Sequence, residues 1–145
     1  MRNDSIEQRA ARLVDEFSRL ADWIERYQFL VRLGDAMRRV PPDEKTEDNY
    51  IPGCQYDIWI SADYDRARDA VHFRADSDAR ISRGLAALII EVLDGQPPNA
   101  IVRADLAFLD RMGLRRHLSA RRRTGLAAMV EEMRSRARSF TRDSE

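Results

Sequence analysis

One cysteine, one lysine and two histidines are all that this chain of 145 residues holds of those types, and each scarcity closes off a chemistry. Cys54 alone excludes an intrachain disulfide and any four-cysteine site for zinc or an iron–sulfur cluster, because those need several thiolates converging on the metal. If sulfur chemistry occurs here, one sulfur atom carries it. No window approaches the roughly 20 apolar residues of a membrane span, and the opening MRNDSIEQRAARLVDEF holds no long apolar run. The expected setting is therefore soluble and cytoplasmic. Lys+Arg and Asp+Glu are both 25, so net charge exerts no general pull toward nucleic acid or membrane. Lys45 is the sole lysine and the remaining 24 basic residues are arginine, which reads as a coding habit and not a function. No repeat, low-complexity block or internal linker is visible, so residues 1–145 read as one domain. A chain of this length buries about two-thirds of its unfolded surface without a disulfide or metal staple.

Charge is distributed unevenly. Residues 41–65 hold seven acids against Lys45, a balance of −6, whereas residues 111–142 hold ten arginines against Glu131 and Glu132, a balance of +8. The chain is acidic around its cysteine and basic toward its carboxyl end.

The first third predicts two helices. Ser5 with Gln8 makes a capping box, and Ile6, Ala10, Leu13, Val14, Phe17 and Leu20 follow on one helical face. Asp22 with Glu25 repeats the start signal ahead of Trp23, Tyr27, Leu30, Val31 and Leu33, with Gly34 and then Pro41-Pro42 as the expected stop. The aromatic residues read as core packing. PPDEKTEDNY, residues 41–50, is a polar loop.

After that loop the period changes from about 3.6 to about 2. Tyr56, Ile58 and Ile60 alternate with Gln55, Asp57, Trp59 and Ser61, as in a strand with one buried face. A turn around DYDRAR leads to a second strand, Ala70–Arg74, and the short connection predicts an antiparallel hairpin. Asp76, Ser77 and Asp78 then read as a helix start, followed by the apolar face of Ile81, Leu85, Leu88, Ile89 and Val92. Gly95 and Pro97-Pro98 end it. Short helical pieces are expected at Ala100–Arg103 and Leu106–Met112, with Gly113 stopping the second. Ser119 begins a last helix with Leu126, Met129, Val130 and Met133, fading into a polar tail at about residues 139–145. The predicted class is α+β, a small antiparallel sheet packed against several helices.

Two features are candidates for chemistry. Pro52-Gly53 turns the backbone sharply and keeps bulk away from Cys54, placing the thiol on a loop tip that meets a strand. A lone cysteine is also among the residues most often buried for packing alone. Asp48 and Asp57 disfavour its thiolate, which argues against a self-activated hydrolase. His72 and His117, the only candidate partners for a Cys-His pair, stand in no motif that ties them to Cys54. A thiol that stays quiet until a partner supplies basic groups suits a sulfur carrier. The second feature is Arg121, Arg122 and Arg123 in the first turn of the last helix. Positive charge there opposes the helix dipole, so an acidic neighbour is expected, either the 41–65 stretch or a partner. A solvated arginine face is the plainer reading, and nucleic acid is disfavoured because no aromatic residues interleave to stack bases. Gly125, inside that helix, suggests close approach by another backbone.

Four stretches and their spacing carry a resemblance: DWIERYQFLVRLG, IPGCQYDIWI, DSDARISRGLAALI and GLRRHLSARRRTGLAAM. From about Trp23 to Met133 the chain resembles the SufE family of sulfur-acceptor proteins, which includes the CsdE proteins. The resemblance implies a fold similar to that of the iron–sulfur scaffold proteins. It makes Cys54 the persulfide-forming thiol, with Pro52, Gly53 and Gln55 as its supporting loop. It also implies a SufS- or CsdA-like cysteine desulfurase as partner, with pyridoxal phosphate bound to that enzyme and no cofactor on this chain. An iron–sulfur scaffold would receive the sulfur, and the chain would have no turnover of its own. Asp76, Asp78 and Arg122 match family positions and are placed at the partner surface. Tyr56 and Arg121 depart from the family pattern and leave the identity of the desulfurase open. The contrasting hypothesis is a pure interaction module with Cys54 inert, and a third is a thiol hydrolase that turns over without a partner.

Overall fold

A computed structural model of the chain describes residues 4–52 and 56–141. Helix α1 (Ile6–Ser18) opens on the predicted capping box: the Ser5 side chain accepts from Gln8 N–H and the Gln8 side chain accepts from Ser5 N–H. Ile6, Ala10, Leu13 and Phe17 make its buried face. Helix α2 (Trp23–Ala36) starts at Asp22, whose carboxylate accepts from Glu25 N–H. Gly34 does not stop this helix; it lies inside it and is buried against Gly84. The polar loop that follows contains two short 3₁₀ turns, Pro42–Glu44 and Glu47–Asn49.

Strands β1 (Ile58–Asp65) and β2 (Ala70–Ser77) form the antiparallel hairpin, in register from Ile58 with Ser77 to Asp65 with Ala70. Strand β2 is longer than expected, whereas β1 is shifted toward the turn: Tyr56 and Asp57, expected in the strand, precede it. Tyr64 and Asp65, expected in the turn, belong to β1, and Asp76 and Ser77, expected at a helix start, end β2. The turn is held by Asp65 Oδ1, which accepts from Ala67 and Arg68 N–H, and by Asp69 at φ 52°, a backbone region that aspartate tolerates. Ile58 and Ile60 are buried in the core as predicted, but Ser61 is buried too. A single bridge extends each edge of the pair: Tyr50 beside Trp59, and Gln96 beside Val71.

Helix α3 (Arg80–Leu93) is the centre of the molecule and packs on α2, β2, α1 and the last helix. Leu85, Leu88, Ile89 and Val92 are wholly buried in one core with Ile60, Val71 and Phe73, each contributing about 1.5–3 kcal/mol of burial. No side chain caps α3; its preceding residue is Ala79, so the acidic start expected there is absent. Gly95, at φ 80°, turns the chain and donates its N–H to Val71 O.

Three short helices follow, α4 (Pro98–Arg103), α5 (Phe108–Arg111) and α6 (Leu114–His117), the last two separated where Gly113 adopts φ 73°. Helix α7 (Ala120–Thr141) closes the description. It does not fade at residue 139: Phe140 stacks on Tyr64 of β1 with ring centroids 5.4 Å apart, holding the last turn on the sheet. The architecture is α+β, a two-stranded antiparallel sheet against several helices. Among the described residues no helix is long and apolar enough to cross a membrane.

Candidate functional site

Cys54, Gly53 and Gln55 lie outside the described residues. The structure does describe the frame on either side of them. Ile51 is buried and donates its N–H to Ile58 O at 2.9 Å, while Pro52 is exposed. On the return side, Asp57 and Asp78 exchange two hydrogen bonds: Asp57 N–H donates to Asp78 Oδ1 at 3.1 Å, and Asp78 N–H donates to Asp57 O at 3.3 Å. Tyr50 completes the clamp, its hydroxyl donating to Asp57 Oδ1 at 2.9 Å and its ring meeting Trp59 edge-on. The described residues on either side are thus tied to the open end of the hairpin.

The predicted residues separate here. Asp78 is exposed and belongs to the clamp. Asp76, expected at a partner surface, is instead buried, its Oδ2 3.0 Å from Lys45 Nζ and its Oδ1 accepting from Ser77 N–H. Lys45 also sits 4.8 Å over the Trp59 ring, so one ammonium serves both a carboxylate and an aromatic face. Arg122, half-buried, holds its guanidinium 5.7 Å over the Tyr56 ring, and its Nε is buried without a hydrogen bond among the described residues. Two cationic side chains therefore stand at this end of the hairpin together with the acidic clamp. Sequence reasoning misses the Lys45 pairing, although a sole lysine within an acidic stretch is a visible signal.

The arginine cluster departs from expectation. Its counterparts among the described residues are carbonyl oxygens and a ring: Arg123 donates to Leu118 O at 2.9 Å and to Arg115 O at 3.2 Å, and Arg122 faces Tyr56. Carbonyls carry the partial negative charge that exposed guanidinium groups need, which is why no carboxylate is required. Farther along α7, Arg136 does reach the acidic stretch, but through Asn49 Oδ1 and the Asp48 carbonyl. Gly125 meets no backbone; a Cβ there would lie 3.6 Å from Ile58 Cδ1, an ordinary contact.

The contacts of both histidines among the described residues lie outside the clamp. His72 Nδ1 lies 3.2 Å from Asp94 Oδ2, and His72 pairs with Asp63, about 17 Å along β1 from Ile58 at ~3.4 Å per residue. His117 stacks on Trp23, the first residue of α2, with centroids 3.8 Å apart. No group of three or more His, Cys, Asp or Glu able to hold a metal occurs among the described residues.

The arrangement defines a small α+β protein in which hydrogen bonds among Tyr50, Ile51, Asp57, Ile58 and Asp78 hold the chain on either side of residues 53–55 at the open end of the hairpin. Comparison with known proteins gives the class its family. The family model described as SufE, Fe-S metabolism associated domain, matches residues 11–137. An uncharacterized SufE-like protein of Rhizobium meliloti (strain 1021) is 32% identical over 128 residues, covering 86% of this chain and 91% of that protein. Another from Rhizobium etli is 32% identical over 129 residues, covering 87% of each. The solution structure of a hypothetical protein from Thermus thermophilus superposes with a TM-score of 0.74 at 22% identity, covering 90% of this chain and 94% of that one, and shares the fold. The chain belongs to the SufE family, and its role lies in iron–sulfur metabolism.

Proposed function

We propose that the chain accepts persulfide sulfur on Cys54 from a cysteine desulfurase that carries pyridoxal phosphate, activates that enzyme by clearing its sulfur, and passes the sulfur to iron–sulfur cluster assembly. The observation that carries this reading is the SufE match across residues 11–137, which includes the sole cysteine. The clamp of Ile51, Asp57, Asp78 and Tyr50 supports it, because a loop fixed at both ends can present its tip to a partner at low entropic cost.

The exchange balances without an oxidant. The Cys54 thiol gives up its proton, and the thiolate attacks the outer sulfur of the donor persulfide. The bond between that sulfur and the donor cysteine breaks, and the donor leaves as a thiolate that takes up a proton. Cys54 rises from thiol to persulfide as the donor cysteine returns from persulfide to thiol, so the pair together needs no external oxidant or reductant. The reading assigns no turnover to this chain alone, and it sets the exchange in the cytoplasm, where a lone cysteine stays reduced.

Intact-mass measurement after incubation with a desulfurase, pyridoxal phosphate and cysteine tests it. The expected result is a gain of one sulfur atom, reversed by reductant and absent in Cys54→Ser. Binding and activation of the desulfurase by Cys54→Ser, with no sulfur gained by the wild-type chain, would instead identify an interaction module.

A further inference from the structure

A cleft of about 200 Å³ opens between the end of α1, the start of α2 and the α5–α6 turn, and its lining includes Trp23, Arg26, Arg111, Arg116 and His117. Among the described residues no carboxylate lines it. Of the nearest acids in sequence, Glu16 lines a different cleft with Arg9 and Arg12, and four others are engaged elsewhere. Asp110 pairs with Arg115 at 3.1 Å and Asp15 with Arg19 at 2.8 Å, while Asp22 and Glu25 accept from backbone N–H groups at the start of α2. Arg111 and Arg116 have no side-chain ion pair or hydrogen bond among the described residues, and both are exposed.

Arg26 is already held in place. Its Nε donates to Phe17 O at 3.3 Å, and its guanidinium lies 5.3 Å from the Phe17 ring centroid and 5.0 Å from that of Trp23. The Trp23–His117 stack forms a flat wall beside it. Three arginines lining one concave space repel one another unless an anion joins them, and their planar forks match tetrahedral oxyanions that accept two hydrogen bonds at once. The volume holds several waters of ~30 Å³ each, or one small oxyanion with fewer.

We propose that this cleft binds a phosphate-class oxyanion, inorganic phosphate or the phosphoryl group of a small metabolite, on Arg26, Arg111 and Arg116 beside the Trp23–His117 stack. Its described lining shares no residue with the clamp of Tyr50, Ile51, Asp57 and Asp78, and occupying it joins α1, α2 and the α5–α6 turn through one ligand.

Isothermal titration of the full chain with inorganic phosphate, pyrophosphate and citrate, at fixed ionic strength in chloride buffer, tests the proposal. Saturable one-site binding of phosphate or pyrophosphate is expected, weakened at least about tenfold by Arg111→Ala with Arg116→Ala, a loss of ~1.4 kcal/mol. Removing two charges elsewhere, in Arg121→Ala with Arg138→Ala, should leave it intact. If the first alanine pair unfolds by circular dichroism, Arg111→Lys with Arg116→Lys keeps the charge and should still weaken binding by removing the fork. Absence of saturable binding overturns the site. So does an equal loss in the Arg121 and Arg138 variant. Citrate binding more tightly than pyrophosphate would overturn the phosphoryl assignment, and phosphate against pyrophosphate separates the free ion from a substituted phosphoryl group.

Discussion

Gly84 of α3 lies directly on the carbonyl of Leu30 in α2: a Cβ at Gly84 would fall 2.3 Å from Leu30 O. Gly34 reciprocates, since a Cβ there would fall 2.8 Å from Gly84 N. The two helices therefore cross backbone to backbone at a pair of glycines. Alanine improves helix propensity by up to ~1 kcal/mol, but here it also drives a methyl group into a peptide. Overpacking of that kind costs about 1–3 kcal/mol, and a backbone oxygen cannot rotate away. Gly84→Ala should lower stability by an amount in that range, read from the urea midpoint. Gly125→Ala meets only the end of the Ile58 side chain at 3.6 Å and should be neutral or stabilising by up to ~1 kcal/mol. Equal stability of Gly84→Ala and wild type would dispose of the close-crossing account.

That crossing shows where sequence reading succeeds and where it stops. Ser5 with Gln8, Asp22 with its helix start, and Ile58 with Ile60 are legible because each signal and its partner lie within a few residues. Gly34 reads as a stop because glycine's small size and its free backbone leave the same letter, and only the position of α3 tells them apart. Asp76 and Asp78 read as a helix start for the same reason. Their partners, Lys45 and Asp57, are 31 and 21 residues away and lie beyond any local pattern. The candidate loop is legible through IPGC and its resemblance, whereas the clamp around it depends on Tyr50, Asp57 and Asp78, whose meeting is a product of strand pairing.

Lys45 carries a prediction of its own. The Asp76 side chain is 11% exposed, so without Lys45 its carboxylate keeps, among the described residues, the Ser77 N–H alone. A buried charged group left short of a partner costs about 1–3 kcal/mol. Lys45→Met retains an apolar stem against Trp59 and should lose stability in that range by chemical denaturation. Adding Asp76→Asn should recover part of the loss, because the uncompensated charge is gone. Strict additivity of the two changes would show that the pair is not coupled.

Acid should weaken the α2–α3 contact. A hydrogen bond from Arg80 Nη2 to Asp35 Oδ2 at 2.9 Å holds the Asp35 carboxyl below its ordinary range, opposed by desolvation and aided by the charges of Arg80, Arg83 and Arg39. The folded pKa is depressed relative to the unfolded value of ~3.9, so the contribution is present above that value and fades as pH falls through the folded pKa. Melting curves of wild type and Arg80→Met should differ most near neutral pH and converge in acid. Added salt should also narrow the gap, since both side chains are substantially exposed. A difference that grows on acidification would contradict the assignment.

The Asp57–Asp78 clamp links structure to the proposed sulfur transfer. Asp78→Ala removes the acceptor of the Asp57 N–H but leaves the Asp78 N–H on Asp57 O, a net loss of about 0.5–1.5 kcal/mol. The fold should survive, with a small drop in melting temperature. If the clamp orients the thiol loop for exchange, the rate of sulfur acceptance should fall by up to about tenfold, equivalent to ~1.36 kcal/mol of barrier. Asp78→Asn keeps an oxygen at Oδ1 and should retain most of that rate. The measurement is the time course of the one-sulfur mass gain at saturating desulfurase, which separates orientation from affinity for the partner. A wild-type rate in Asp78→Ala would reduce the clamp to a stabilising contact. Equal loss in Asn and Ala would make the carboxylate charge the operative feature, and the hydrogen bond incidental.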